Sequence, residues 1–191
     1  KVTIGPRTKR PLVVDIPILI TGMSFGSALS KEVKVALAKA ASMVGTATNS
    51  GEAGLLKEER EAASKFLGQF NRGGWMNKPE LLRQLDAVEI QLGQGAQAAS
   101  PQRTKAKVIG EDFRTVFGLS PNEDAVIHSR LPNVNSPEDF IRTVQQIRDW
   151  TDGVPVGLKF AATHYMEREL EIAMEADIDY IVVDGAEAGS H

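Results

Sequence analysis

The amino-acid sequence predicts an α/β protein built around a parallel sheet. A short apolar run, a glycine-containing loop and an amphipathic helix recur in that order along the 191 residues. This alternation fits both a closed eight-stranded barrel and an open doubly wound sheet. Glycine or polar residues follow nearly every predicted strand. In a barrel such strand ends all meet on one face, whereas an open sheet concentrates them at one switch point. The loops therefore favour the barrel, although the alternation alone does not decide between the two.

The first part of the chain predicts a buried strand followed by a well-capped helix. Residues 17–21 (PILIT) are apolar on both faces of a strand, as in a buried parallel sheet. Ser30 can cap a helix that ends at Gly45. The apolar positions at helical spacing, which we expect to be buried, are Val33, Ala36, Leu37, Ala40 and Val44. Residues 46–48 then predict a second short strand.

The middle of the chain is less regular. Residues 55–64 are charged and predict a short exposed helix, while residues 65–74 fit no single element, and an inserted hairpin is one interpretation. A helix is expected from Asn77, and residues 87–92 predict the next strand. Residues 96–123 are long and polar without a clear period, which predicts an elaborated loop with a short helix.

The last third returns to the regular alternation. Residues 125–128 predict a short strand, and Ser136 with the following proline and two acidic residues predicts a helix start. The expected buried residues of that helix are Phe140, Ile141, Val144 and Ile147. Residues 155–160 predict a strand, 167–176 a helix and 180–185 a strand. The sequence thus predicts five or six strands in all.

Composition excludes several functional classes. The charge is −3 with Lys and Arg scattered, so no basic stripe indicates a nucleic-acid partner. The sequence has no apolar run near the roughly 20 residues that a membrane span needs, and residues 1–11 lack the apolar stretch of a signal peptide. It has no cysteine and only three separated histidines, so we predict no metal site. Because the sequence begins without Met and ends after a glycine-bearing loop, we expect residues 1–191 to be a single domain cut from a longer barrel.

Polar and glycine residues follow the first two predicted strands. Gly22, Met23 and Ser24 lie in a strand-to-helix loop, where glycines let backbone approach a flat ligand and free N–H groups can face an acceptor. The alternative is a tight turn without a ligand, which a lone glycine loop does not exclude. Asn49 offers both a donor and an acceptor, and Glu52 adds a carboxylate. An Asx-type turn that caps the next helix is the competing interpretation for this loop.

Later strand ends carry further candidates. Gln94 lies between two glycines and is a plausible ligand-facing amide, with a solvated loop as the alternative. Lys159 lies within an apolar strand, where an uncompensated ammonium would be costly to bury. At the strand end it can face an anionic ligand, although solvent, Asp184 or Glu52 are alternative partners. Asp184 can hold Lys159 or a ligand hydroxyl, or cap a following helix, and Gly185 continues its loop.

Taken together, these loops resemble the FMN-binding domain of the glutamate synthase family. The family patterns PMSFGS, SNTGEGG and QIKIAQGAK are similar to GMSFGS at 22–27, TNSGEAG at 48–54 and EIQLGQGAQ at 89–97. The family's strand lysine falls on Lys159, and its Asp-Gly loop falls on Asp184 and Gly185. These matches run in the family's order over residues 17–189.

The resemblance implies an incomplete TIM-type (β/α)8 barrel, with FMN above the carboxyl-terminal face. It implies reduction of a 2-imino acid, formed from 2-oxoglutarate and ammonia, to glutamate by a cytoplasmic enzyme. Lys159 and Glu52 would be catalytic, with Glu52 facing the substrate pocket. The implied FMN-binding residues are Gly22, Met23, Ser24, Asn49, Gln94, Lys159, Asp184 and Gly185. An iron–sulfur cluster would belong to the intact protein, with no ligand from this segment. The resemblance leaves open whether the protein forms a homo-oligomer or has a partner that donates electrons or supplies ammonia.

Two departures from the family pattern leave the substrate open. Family lysines are replaced by Gln91 and Gln97, and the PGEGG that usually follows is AASP at 98–101. If those lysines hold a dicarboxylate, another substrate becomes the alternative, such as an N-alkyl amino acid, a 2-hydroxy acid or a prenyl diphosphate. A degenerate barrel without catalytic activity is the remaining hypothesis.

Overall fold

The structure is a computed structural model that describes residues 1–95, 98–185 and 187. Its strands, in chain order, are β1 (Val2–Ile4), β2 (Leu12–Val14), β3 (Thr48–Asn49), β4 (Phe66–Phe70), β5 (Ala87–Gln91), β6 (Gln102–Thr104), β7 (Ala125–Ile127), β8 (Val156–Ala161) and β9 (Tyr180–Asp184). The helices are α1 (Lys31–Met43), α2 (Lys57–Ala62), α3 (Pro79–Leu82), α4 (Glu111–Phe117), α5 (Pro137–Thr151) and α6 (Met166–Glu175), and a 3-10 turn spans Ala106–Val108.

Five parallel strands form the central sheet in the order β3-β4-β5-β8-β9. The spatial order follows the chain order, so the sheet winds in one direction without a switch point. A doubly wound sheet would reverse that order at its centre. The sheet curls into a half-barrel, which confirms the predicted incomplete TIM-type barrel with five strands.

An antiparallel hairpin of β1 and β2 covers the amino-terminal ends of the parallel strands. Leu12 and Val14 on β2 are buried against apolar residues at the starts of the barrel strands, namely Ala47, Leu67 and Ala87. Two further contacts fasten this end: Arg10 N–H donates to Gly153 O at 3.0 Å, and the Tyr180 hydroxyl donates to Val88 O at 3.0 Å. The covered amino-terminal end leaves the opposite, carboxyl-terminal end for a site.

Helix α5 follows the sequence prediction, except that Ile141 is only partly buried. The Ser136 side chain accepts from Asp139 N–H at 3.2 Å, and Phe140, Val144 and Ile147 are buried against the sheet. Helix α1 begins after its predicted cap Ser30, but its predicted face is wrong. Lys34, Ala38 and Ala41 are buried, whereas the predicted core residues Val33 and Val44 are 43% and 53% exposed. The physical reason is that Lys34 forms a buried ion pair with α2, which sets the rotation of α1.

The predicted first strand at residues 17–21 is also wrong. This segment runs beside the start of β3 with one backbone bond, Ile20 N–H to Ala47 O at 3.0 Å. Pro17 has no N–H to donate, and Ile18 O accepts from the Thr46 hydroxyl instead of a neighbouring strand. Ile18 is accordingly 65% exposed.

Residues 65–74 contain a central barrel strand and not the suggested hairpin. They include β4, which is buried along its whole length and pairs in parallel with both β3 and β5. The predicted strand at 125–128 is present as β7, but it pairs antiparallel with β6 outside the barrel. Together with α4, this excursion packs a second core against the early loops through Phe25, Trp75, Phe117 and Ile127.

Candidate functional site

Two loops meet in direct contact at the carboxyl-terminal end of the half-barrel. Gly51 has φ of +71°, and a Cβ there would lie 2.6 Å from Ser24 N. A Cβ on Gly22 would lie 2.7 Å from Gln69 Nε2 and 3.1 Å from Asn49 Oδ1. Neither position has room for a side chain. The predicted loop at 22–24 and the loop after β3 therefore form one surface.

A buried network of amides and one carboxylate lies beneath these loops. The Glu89 Oε1 atom accepts from Asn49 Nδ2 at 3.2 Å and from Gln69 Nε2 at 2.7 Å. The Asn49 Oδ1 atom accepts from Gly51 N–H at 3.0 Å, which is an Asx-type turn, the competing interpretation for this loop, although it does not cap α2, whose N-cap is Leu56. Burial raises the pKa of Glu89, and the nearby ammonium of Lys159 opposes that rise. The network thus joins β3, β4 and β5 and reaches the charge on β8.

Lys159 is buried, with 2% of its surface exposed, and its Nζ lies 3.3 Å from Asp184 Oδ2. Of the partners that the sequence left open for Lys159, the structure shows Asp184. Asp184 is the last residue of β9 and remains partly accessible. The charges of Lys159, Asp184 and Glu89 meet at one end of the sheet.

Glu52 belongs to a second buried cluster. Its Oε1 lies 3.2 Å from Arg72 Nη2, and its Oε2 accepts from Gln94 Nε2 at 3.4 Å. Arg72 also donates from Nε to Gln91 Oε1 at 3.2 Å and from Nη1 to Ser100 O at 3.4 Å. Because the side chains of Arg72 and Glu52 are 0% and 1% exposed, Arg72 neutralises the carboxylate predicted to face the substrate.

A third group of buried charges is an ion pair that contacts both loops. Lys34 Nζ lies 2.9 Å from Glu59 Oε1, and both side chains are 1% exposed. The same ammonium donates to Met23 O and to Asn49 O, each at 2.8 Å. Burial lowers the pKa of Lys34 and raises that of Glu59 to about 7. This pair connects helices α1 and α2 to both loops.

The structure brings most of the predicted site residues together. Gly22 and Ser24 pack on the loop after β3, and the polar network leads from Asn49 to Lys159 and Asp184. The second cluster contains Glu52 and Gln94. Gly185 follows Asp184 and is exposed, and a Cβ there would meet no atom of the described residues within 4 Å. Gln97 lies outside the described residues.

Sequence reasoning missed the buried partners of these residues. They are Lys34, Glu59, Gln69, Arg72 and, as a hydrogen-bond acceptor, Glu89. Two of them, Gln69 and Arg72, lie in the segment at 65–74, whose strand the sequence did not predict. Its apolar run ends in polar residues and two glycines, NRGG at 71–74. That pattern matches the other strand ends and could have identified β4.

The polar groups at this end fit the edge of a flavin ring. The donors are amides and an ammonium, which suit ring nitrogens and carbonyl oxygens, and the acceptors suit a ring N–H. Three buried amide atoms, Gln69 Oε1, Asn71 Oδ1 and Gln91 Nε2, have no hydrogen-bond partner among the described residues. Buried orphans of this kind call for a ligand or water nearby. Among the described residues, no group of three or more His, Asp or Glu side chains is arranged to hold a metal ion.

Fold and site together define a barrel-type domain with buried polar and charged side chains toward the carboxyl ends of its strands. A family model described as "Conserved region in glutamate synthase" matches residues 2–190, so the chain belongs to the glutamate synthase family. This confirms the family to which the sequence motifs point.

Curated relatives cover the whole chain. It is 32% identical over 99% of its length to a glutamate synthase large subunit-like protein of Rhizobium meliloti, covering 43% of that protein. It is 32% identical over 100% of its length to the archaeal-type glutamate synthase [NADPH] of Thermotoga sp., covering 37%. The archaeal glutamate synthase [NADPH] of Methanocaldococcus jannaschii is 29% identical, with 36% covered. The chain therefore spans about two fifths of the length of these relatives. In the part that the structure describes, no helix is long and apolar enough to cross a membrane.

Proposed function

We propose that residues 1–191 form the first part of an FMN-dependent oxidoreductase domain that reduces a 2-imino acid, formed from 2-oxoglutarate and ammonia, to glutamate. The observation that carries this proposal is the buried cluster that joins Asn49 and Asp184, the last residues of β3 and β9, to Glu89 and Lys159 within β5 and β8. It occurs in a chain whose family match covers residues 2–190. The names of the relatives, which include glutamate synthase [NADPH], agree with this reaction class.

When bound, FMN would supply hydride transfer, and the residues of this chain would hold and tune it. Gly22, Met23 and Ser24 would lie against the ring, as the family resemblance implies, and the packing of their loop on Gly51 would fix their position. Asn49 and Gln94 would meet polar groups of the ring or substrate.

Lys159 would place a positive charge beside the ring edge. A buried ammonium stabilises negative charge that develops nearby far more than an exposed one does, because water screens it less. Asp184 holds Lys159 in place at 3.3 Å and leaves further lysine N–H groups to donate. The charge of Lys159 is therefore shared between Asp184 and a ligand.

Glu52 would face the substrate, and Arg72 would hold it there. The guanidinium bonds Glu52, Gln91 and Ser100 O, so it fixes the carboxylate relative to β4 and β5.

The function is tested on the intact protein. We expect purified protein to show flavin absorbance bands and to form glutamate from 2-oxoglutarate, ammonia and a reductant. Protein that carries no flavin and cannot be reconstituted with FMN would contradict the proposal and favour a non-catalytic barrel.

A second candidate substrate class is supported by one observation. Gln91, which replaces a family lysine, is fully buried, and its Oε1 is bound to Arg72. Position 91 thus supplies no positive charge for a second carboxylate. If the protein binds FMN but does not act on 2-oxoglutarate and ammonia, an N-alkyl amino acid, a 2-hydroxy acid and a prenyl diphosphate are the substrates to assay.

The proposal extends to the domain, the cofactors and the partners of the whole protein. Residues 1–191 would belong to a single barrel domain, and an iron–sulfur cluster of the intact protein would take its ligands from elsewhere. An electron donor or an ammonia-supplying partner would complete the reaction.

A further inference from the structure

We propose that Lys34 is a positioning residue that locks the two loops of the candidate flavin site to each other. Glu59 orients Lys34 from behind. The consequence for flavin binding rests on the proposed function, whereas the coupling of the loops does not.

The ammonium of Lys34 makes contacts in three directions. It donates to Met23 O at 2.8 Å on the first loop and to Asn49 O at 2.8 Å at the end of β3, and it lies 2.9 Å from Glu59 Oε1 on α2. Ser50 O lies further away, at 3.4 Å. A lysine ammonium has three N–H donors, and its hydrogen bonds go to the Met23, Asn49 and Ser50 carbonyls, while Glu59 supplies the counter-charge.

The contacts set the direction of two peptide groups. In a trans peptide the carbonyl and the following N–H point in opposite directions. With Met23 O held by Lys34, the Ser24 N–H points away from α1. In the neighbouring loop, Asn49 O is held in the same way, while Ser50 N–H donates to Leu67 O at 3.0 Å. One side chain therefore orients the backbone of both loops at the position where they touch.

Stability alone does not explain a buried lysine at this place. A buried ion pair is often no more stable than two apolar residues of the same volume, because both charges lose their hydration. The predicted apolar face of α1 included Val33 and Leu37 and would have buried no charge. What an apolar pair cannot supply is the donation to the Met23 and Asn49 carbonyls.

The test separates this donation from the charge pair. The double variant Lys34→Met, Glu59→Met removes both charges at similar volume and also removes the donors. The variant Glu59→Gln keeps Lys34 and an oxygen acceptor beside it. Lys39→Met, on the exposed side of the same helix, is the matched control. Each is made in the intact protein, and folding is checked by thermal unfolding.

The first measurement is amide hydrogen exchange without FMN, followed by mass spectrometry. In the double variant we expect amide exchange to be at least about tenfold faster in both segments, 22–28 and 48–54. This is the size of effect expected when a hydrogen bond to a charged group is lost. Exchange in β5 and β8 should not change. Glu59→Gln and Lys39→Met should stay within about twofold of the unsubstituted protein.

The second measurement is FMN affinity by fluorescence quenching. The double variant should bind FMN at least about tenfold more weakly than the unsubstituted protein.

Unchanged exchange in both segments of the double variant would overturn the proposal. So would a global loss of folding, because the pair would then serve the whole fold. Loss of protection in Glu59→Gln equal to that of the double variant would assign the effect to the charge pair and also overturn it. If the unsubstituted protein binds no FMN, the proposed function fails, and hydrogen exchange still decides the role of Lys34.

Discussion

Two buried ion pairs lie on either side of the loop that follows β3, and they differ in what the cation holds. Arg72 bonds the side chains of Glu52 and Gln91 and one backbone carbonyl, Ser100 O, at the longer distance of 3.4 Å. Lys34 instead bonds backbone carbonyls of two loops, with Glu59 as its counter-ion. The arginine pair therefore fixes side chains in the site, and the lysine pair fixes the loop backbone behind it. Burial of charge serves a different purpose in each.

The largest expected effect tests the arginine pair. Arg72→Met should lower the free energy of unfolding by about 3–5 kcal/mol, because it leaves the fully buried Glu52 without its counter-ion. Urea unfolding followed by circular dichroism measures the change. Arg103→Met is the matched control, since Arg103 is 68% exposed in its pair with Asp124 and should cost less than about 1 kcal/mol. Equal losses in the two variants would show that Arg72 contributes no more than a surface pair.

The next effect tests the contact between the two loops. Gly51 and Gly118 both have left-handed backbones, with φ of +71° and +66°. A Cβ on Gly51 would lie 2.6 Å from Ser24 N, whereas on Gly118 it would meet only Lys78 Nζ at 3.6 Å among the described residues. Gly118→Ala should cost about 1 kcal/mol for the backbone alone. Gly51→Ala should cost about 1–3 kcal/mol more. Similar melting temperatures for the two variants would disprove close packing of the loops.

The difference between the two pairs also explains what the sequence could predict. Strands β5, β8 and β9 were predicted because each is mostly apolar and its polar or glycine residues stand singly, and α5 because Ser136 and its neighbours form a local cap. The partner of Lys34 lies 25 positions along the chain, on another helix, and no local pattern pairs them. Strand β4 was missed because Gly68 and Gln69 interrupt its apolar run. Positions at strand ends were thus predictable, whereas the side chains that hold them were not.

A smaller effect tests the lysine pair through pH. Burial raises the pKa of Glu59 from 4.5 to about 7, so the folded protein binds more protons than the unfolded chain between these values. Stability from this group is complete below about pH 4.5 and is lost as the pH rises through about 7. The difference in unfolding free energy between the unsubstituted protein and Glu59→Gln should therefore change by about 3 kcal/mol across this range. A difference that is constant with pH would contradict the assignment.

The smallest effect concerns the edges of the sheet in the isolated 191-residue polypeptide. Edge strand β9 exposes Ile181 and Val183 at 42% and 49%, and an open apolar edge promotes association. We expect this polypeptide to self-associate and to bind FMN weakly, and Val183→Lys should reduce the association. Sedimentation velocity and FMN titration measure both. A monomer with tight, stoichiometric FMN binding would contradict the expectation.

The central claim is that the polar cluster at the carboxyl ends of the strands holds and tunes a flavin, and Lys159 tests it most directly. In the intact protein, stopped-flow absorbance should show flavin reduction or re-oxidation slowed by about 100-fold or more in Lys159→Met, because a buried positive charge beside the ring is lost. Lys65→Met is the control, since Lys65 donates to Gly45 O at 3.1 Å at the opposite end of the sheet and should leave both rates unchanged. Rates in Lys159→Met equal to those of the unsubstituted protein would contradict the account.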